Sequence, residues 1–284
     1  MDTRRAAITV EQIDETFRPK TGDEWLVALQ SWRWRIFSGQ LYKIMTKDDE
    51  HQPGSVVPFR PNTAQRLFVA DLHYRNVILK ARQLGFTTLV SILWLDHAMF
   101  TADQRVGIIA HSLDDAAVIF RDKVVFAYNN LPDHVRAMFP LLKKTESEMV
   151  FKHNNSAIRV ATSMRSGTIH RLHISELGKI AAKFPAKANE IITGSLPAVP
   201  STGIAIVEST AEGREGEFFD MATRAERRAQ MERALGQSEW RFHFFPWWEL
   251  PEYRSPANDQ TPISAERHEY FDQVQSEMGT VLTI

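Results

Sequence analysis

Apolar residues recur along this chain in two rhythms. Between residues 21 and 45, TGDEWLVALQSWRWRIFSGQLYKIM spaces them at three and four, which predicts a helix with one buried face. Just before it, TVEQIDETF sets a Thr and a following Glu in capping-box positions ahead of an amphipathic run, the signature of a helix start. KDDEHQPGSVVP is polar and turn-rich and reads as a loop.

From residue 59 the rhythm changes. Short β-type runs stand at 76–80 (NVILK), 105–111 (RVGIIAH), 157–162 (AIRVAT), 171–175 (RLHIS) and 203–210 (GIAIVEST). Helical stretches at 87–100, 112–130, 187–196 and 215–232 separate most of them, and another follows at 264–278. Strands alternating with helices predict a mostly parallel sheet covered on both faces. The runs are nearly continuous in apolar residues, as burial on both sides requires. Residues 140–162 read instead as a hairpin, in which SEMVFK and AIRVAT flank HNNS, whose Asn residues tolerate left-handed turns. The expected organisation is an N-terminal helical accessory segment (1–57), an α/β core (58–262) and a C-terminal helical segment (263–284).

Composition narrows the class only a little. With 284 residues, 43% hydrophobic and 24% charged, the chain can bury a sizeable core. No apolar run approaches the roughly 18–20 residues of a membrane span, and MDTRRAAITVEQIDE lacks a signal-peptide core. There is no Cys, so neither disulfides nor thiolate metal ligands arise, which fits a reducing cytoplasm. A net charge of −1 points to no partner, so any contact with nucleic acid must be local.

The chemistry gathers at strand ends. KARQLGFTT (80–88) joins a strand to a helix through a glycine turn with hydroxyls, where a phosphate is expected. Backbone N–H groups at Gly85–Thr88 open the helix, and Thr87 stands where a phosphate loop places its Mg²⁺-binding hydroxyl. The usual loop has Gly where this chain has Lys80, and Lys where it has Phe86; the loop's charge comes from Lys80 or Arg82. Glu176 follows an apolar strand where an ATPase needs a carboxylate, although Ser175 replaces the usual Asp beside it. ESTAEG ends another strand in Glu208, Ser209 and Thr210, at the edge where open α/β folds bind ligands. Upstream, PFRPNTAQRLF offers Gln65 to read an adenine edge and Phe59 to stack on the base.

In order and spacing, KARQLGFTT, RSGTIHRLHISE and ESTAEG resemble the N-terminal ATPase domain of the large terminase subunit of tailed bacteriophages. The resemblance covers roughly residues 55–284. It implies a P-loop NTPase fold of the ASCE, RecA-like type and ATP hydrolysis that drives double-stranded DNA into a procapsid. In that family a deviant phosphate loop carries its basic residue at the front, sometimes with an aromatic after the glycine. By the resemblance, Lys80 contacts the phosphates, Arg82 lies at or senses the γ-phosphate, and Glu176 orients the attacking water. Gln83, Gly85, Phe86, Thr87 and Thr88 line the nucleotide, and Thr87 and Ser175 hold Mg²⁺. Ser209 and Thr210 belong to the coupling motif, and Arg165 reaches a neighbouring subunit's nucleotide. ATP and Mg²⁺ are the implied cofactors. The implied partners are DNA, a portal protein and a small terminase subunit, in a homo-oligomeric ring in the bacterial cytoplasm, with the isolated fragment monomeric. Large terminases continue into an RNase H-like nuclease, so residues 263–284 are expected to lead to an absent domain and no DNA cleavage is expected. Two other readings stay open: a helicase-like ATPase, and a non-catalytic nucleotide-binding module. The Arg-rich TRAERRAQMERALGQ (223–237) is either a DNA contact or a solvated helix face.

Overall fold

A computed structural model describes residues 9–46, 54–165, 167–231, 233–249, 253 and 262–278. The chain divides into two compact units, Met1–Phe244 and Phe245–Ile284.

The N-terminal helix expected over 21–45 is broken in two, and its end is a strand. Thr21 caps the first piece, α1 (Gly22–Ala28), accepting from the Glu24 N–H at 3.2 Å while Glu24 reaches back to Thr21 N. Ser31 then leaves the helical conformation and caps α2 (Trp32–Phe37), accepting from Trp34 N at 3.3 Å. β1 (Lys43–Met45) follows and pairs antiparallel with β2 (Val56–Pro58), so the end of the expected loop is strand. The helix start read at TVEQ is only a 3₁₀ turn, Val10–Gln12, because Asp14 draws the N–H groups of Thr16 and Phe17 into its own turn.

α3 (Thr63–Ala70) leads into β3 (Arg75–Lys80), α4 (Phe86–Phe100) and β4 (Arg105–Ile109). The helix expected over 112–130 is α5 (Leu113–Ile119), which runs through a π-helical stretch, Phe120–Val125, into α6 (Phe126–Asn129). After α7 (Asp133–Met138) come β5 (Leu141–Lys144), β6 (Glu148–Phe151) and β7 (Ala157–Ala161). Then follow β8 (Arg171–Ser175), α8 (Leu177–Lys183), α9 (Pro185–Glu190), β9 (Ile204–Ser209), α10 (Glu217–Ala229) and β10 (Arg241–Phe245). The second unit contains α11 (Ala265–Met278).

Among the described residues the main sheet has eight strands in the order β10-β3-β9-β8-β4-β7-β6-β5. β3, β9, β8, β4 and β7 run parallel, and the expected hairpin of β6 and β7 is present, with β5 added antiparallel beside β6. Asn155 turns that hairpin with φ +57°, as its side chain permits. β9 lies between β3 and β8, so the chain leaves β3, crosses two strand positions through α4 and returns as β4. Such switch points open a crevice at the carboxyl ends of the strands.

Strand alternation separates two chemistries. Val77, Leu172, Ile174, Ala205 and Val207 face a core with Leu177, Ile180, Phe218 and Met221 from α8 and α10. The alternate positions, Asn76, Ile78 and Lys80 on β3, His173 and Ser175 on β8, and Ile206 and Glu208 on β9, share the opposite face. Arg35 ties the N-terminal segment to this architecture: its Nε and Nη2 donate to Asp96 of α4 at 2.7 and 2.8 Å, and Tyr42 Oη donates to the same carboxylate at 2.8 Å.

Candidate functional site

Two left-handed residues shape the loop between β3 and α4: Gln83 at φ +58° and Gly85 at φ +70°. Alternation of φ sign in a short loop is the backbone form of an anion-binding concavity. α4 follows directly, so the N–H groups of its first turn and its dipole favour negative charge at the same place. Gly85 is the N-cap of α4 and supplies no side-chain cap.

Gln65 holds the loop from behind. Its Nε2 donates to the carbonyls of Leu84 at 3.1 Å and Gly85 at 2.9 Å, and its Oε1 accepts from Asn62 N at 3.0 Å. The residue is buried, and its amide is committed to the loop backbone and the cap of α3. Phe59 is also buried and offers no exposed ring face in this conformation. Phe86 points inward and meets Phe68 edge-on at 5.7 Å between centroids, so only its backbone belongs to the loop surface. Arg82 and Gln83 are exposed, and Thr87 and Thr88 are half-buried in the first turn of α4.

Lys80 is mostly buried and lies between two carboxylates. Its Nζ is 3.1 Å from Glu176 Oε1 and 3.0 Å from Glu208 Oε2. Burial pushes the ammonium toward neutrality, but Glu208 and Glu176 outweigh that and raise its pKa, so it stays charged. Glu208 has 0% exposure. Burial alone drives its pKa upward; the His173 ring and the Lys80 ammonium outweigh it and hold the carboxyl well below the usual range. Thr87 Oγ1 and Ser175 Oγ both donate to Glu208 Oε1, at 2.8 and 2.9 Å. His173 Nε2 stands 3.4 Å from that same oxygen without hydrogen-bond alignment.

Glu176 sits one residue beyond β8 in the left-handed region, φ +58° and ψ +47°. For a non-glycine residue this conformation costs about 1–3 kcal/mol and clusters at functional sites. From this position Glu176 Oε1 accepts from Lys80 Nζ at 3.1 Å. Thr210 N and Oγ1 and Ser209 Oγ each stand 3.5 Å from Glu176 Oε2, at the outer limit of hydrogen bonding. Ser209 Oγ also accepts from Gly178 N at 3.1 Å, and a Cβ on Gly178 would fall 2.7 Å from that oxygen. The end of β9 therefore touches the start of α8.

Lys80, Thr87, Ser175, Glu176, Ser209 and Thr210 are thus brought together, with Gln65 and Gly85 behind them. Arg165 is placed elsewhere. It lies on the loop between β7 and β8, largely exposed, with Nε donating to Glu190 at 2.6 Å. With Arg105 and Arg159 it lines a cavity of about 580 Å³ that none of the Lys80 cluster reaches. In the Arg-rich stretch, Arg228 and Arg233 both pair with Glu239, so part of that charge is neutralised within the chain. Sequence reasoning placed Glu208 at the ligand-binding edge of β9 but did not join it to Lys80, Thr87 and Ser175. Its signal was a carboxylate in phase with the buried Ile206 two residues earlier.

The donors suit a hard cation. Two hydroxyls and carboxylate oxygens match Mg²⁺, which keeps waters and takes few protein ligands beside phosphates. Among the described residues no cluster of three or more acidic or His side chains could hold a metal alone, so an ion here needs phosphate and water oxygens as well. No described helix is long and apolar enough to cross a membrane.

No protein-family model matches this sequence, and no curated protein matches it. Solved structures resemble this chain. The crystal structure of the HK97 bacteriophage large terminase aligns with a TM-score of 0.55 at 14% identity, covering 78% of this chain and 48% of that one. The ATPase domain of the Thermus phage P74-26 large terminase gives a TM-score of 0.49 at 13% identity, covering 78% of this chain and 89% of that one. This chain spans about half the length of the HK97 protein (48%). At such identity the likeness shows the fold: an α/β, RecA-like arrangement with a mostly parallel sheet flanked by helices.

Proposed function

We propose that this chain is an ATP-hydrolysing motor domain of the terminase kind, working on double-stranded DNA during viral genome packaging. One observation carries the reading: a buried lysine at the mouth of an anion-binding loop, held between two carboxylates from neighbouring strand ends. The fold shared with the HK97 large terminase supports it.

Each residue has a task that follows from its position. The backbone of Gly85–Thr88 and the N-terminus of α4 bind phosphate oxygens. Lys80 releases one or both carboxylates and turns its ammonium to the β- and γ-phosphates; Arg82, exposed beside it, adds charge at the mouth. Thr87 and Ser175 are the hydroxyls that would hold Mg²⁺, which when bound neutralises charge developing on the phosphates. Glu176, freed from Lys80, orients the attacking water. Ser209 and Thr210 touch Glu176 and the start of α8, so a change at that carboxylate displaces the end of β9. Arg165 serves a neighbouring copy in a homo-oligomeric ring, and a portal protein and small terminase subunit complete the assembly.

The test is ATP turnover by the purified chain with Mg²⁺, measured with and without double-stranded DNA. Turnover that DNA accelerates is expected. A chain that neither binds nor hydrolyses ATP overturns the reading.

A further inference from the structure

Ser175 leaves the strand end before Glu176 without the negative charge that P-loop ATPases place there to hold Mg²⁺ together with the loop hydroxyl. The charge is not missing from the site. We infer that Glu208, on the neighbouring strand β9, supplies it: Glu208 is the positioning carboxylate for Thr87 and the hydration shell of Mg²⁺, and Ser175 relays to it. The inference rests on the nucleotide-site reading above.

Four observations converge. Ser175 and Glu208 are register partners on adjacent parallel strands and point to the same face, so a side chain from either Cα serves one spot. Glutamate is a methylene longer than aspartate, which offsets the step of one strand. The loop hydroxyl already chooses this carboxylate: Thr87 Oγ1 donates to Glu208 Oε1 at 2.8 Å, and Ser175 Oγ to the same atom at 2.9 Å. Donating its one proton leaves the oxygen lone pairs of Thr87 for a cation. Finally, Glu208 Oε2 is buried, and among the described residues its partner is the Lys80 ammonium, 3.0 Å away. When Lys80 turns to phosphate, that oxygen is left charged, buried and in need of a cation or its water.

Two carboxylates then divide the work by depth. Glu176, with its side chain 27% exposed, faces the mouth, and Glu208, at 0%, lies beneath Thr87. Glu176 handles water, whereas Glu208 sets the hydroxyl and the ion.

The experiment measures affinity for a non-hydrolysable ATP analogue with and without Mg²⁺, so that the readout is the ratio of the two and not activity. In the wild type Mg²⁺ tightens binding. Glu208→Gln removes a buried negative charge beside Lys80, so Mg²⁺-free binding is kept or strengthened while the Mg²⁺-dependent gain falls at least tenfold. The transposed pair Ser175→Asp/Glu208→Ser restores that gain, and carries the test alone should Glu208→Gln lose its circular-dichroism spectrum. A full Mg²⁺ gain in Glu208→Gln, or its absence in a folded transposed pair, overturns the inference while leaving the nucleotide site standing. A wild type that binds no nucleotide overturns the site itself, and the inference with it.

Discussion

Gln65 and Gly85 are fastened to each other: the amide donates to the Gly85 carbonyl at 2.9 Å, and a Cβ on Gly85 would lie 2.7 Å from Gln65 Nε2. The loop between β3 and α4 is therefore held by a side chain from the helix before it. Gln65→Ala removes one donor from each of the Leu84 and Gly85 carbonyls, which keep Asn62 Nδ2 and Leu89 N, and takes the acceptor from the Asn62 N–H. It should destabilise the fold by about 1–2 kcal/mol and weaken nucleotide binding, as read by urea denaturation and analogue titration. Gly85→Ala should do more, because it adds a left-handed residue with a Cβ to the same collision.

Lys80 and Arg82 should separate sharply. Lys80→Ala abolishes turnover, but it also strands the buried Glu208, and breaking one side of a buried ion pair costs about 3–5 kcal/mol. The double variant Lys80→Met/Glu208→Gln should recover much of that stability while remaining inactive. Arg82 makes no ion pair among the described residues, so Arg82→Ala should leave the denaturation midpoint unchanged and weaken nucleotide binding only modestly. Turnover in Lys80→Ala that Arg82→Ala then removes would reverse the two roles.

Arg165 is itself exposed and, among the described residues, pairs with the half-buried Glu190, so Arg165→Ala should fold like the wild type. Its loss should appear in assembly: mixtures of Arg165→Ala and Glu176→Gln subunits regain turnover if the arginine serves a neighbour's nucleotide. Turnover that stays at the sum of the two separate variants argues for a local role.

Acid should destabilise the fold through His97. Burial, and then the charge of Arg171, lower its pKa to about 4 from the usual 6.5. Between those values the unfolded chain binds the proton and the folded chain does not, so stability falls as pH drops from about 6.5 to about 4. The loss is at most about 3 kcal/mol. His97→Gln should remove part of that fall from the stability–pH curve measured by denaturation, the rest belonging to His243, whose pKa burial also lowers to about 4.

What could be read in advance depended on how far each feature reaches along the chain. The parallel strands were legible because each is a short apolar run, and Lys80, Thr87, Ser175 and Glu176 because each stands next to such a run. The helix expected over 21–45 broke because Ser31 caps a second helix inside an unbroken apolar rhythm. β5, with its exposed lysines, and β10, rich in aromatics, gave no alternation against a core and were not assigned. α8 is only seven residues long and ends at Lys183, with Phe184 as its cap before Pro185, too short for a helical period to declare itself. The partners of Glu208 were hidden for a deeper reason. They depend on β9 lying between β3 and β8, and strand order is a tertiary fact. The same holds for Gln65, whose partners are 19 and 20 residues away.

The most direct measurement is steady-state ATP hydrolysis by the wild type and Glu176→Gln, alongside each protein's affinity for the nucleotide. If Glu176 orients the attacking water, Glu176→Gln binds ATP with Mg²⁺ at least as well as the wild type, while kcat falls about 10²–10⁴-fold. Equal turnover by the two proteins would contradict that assignment and the motor function built on it.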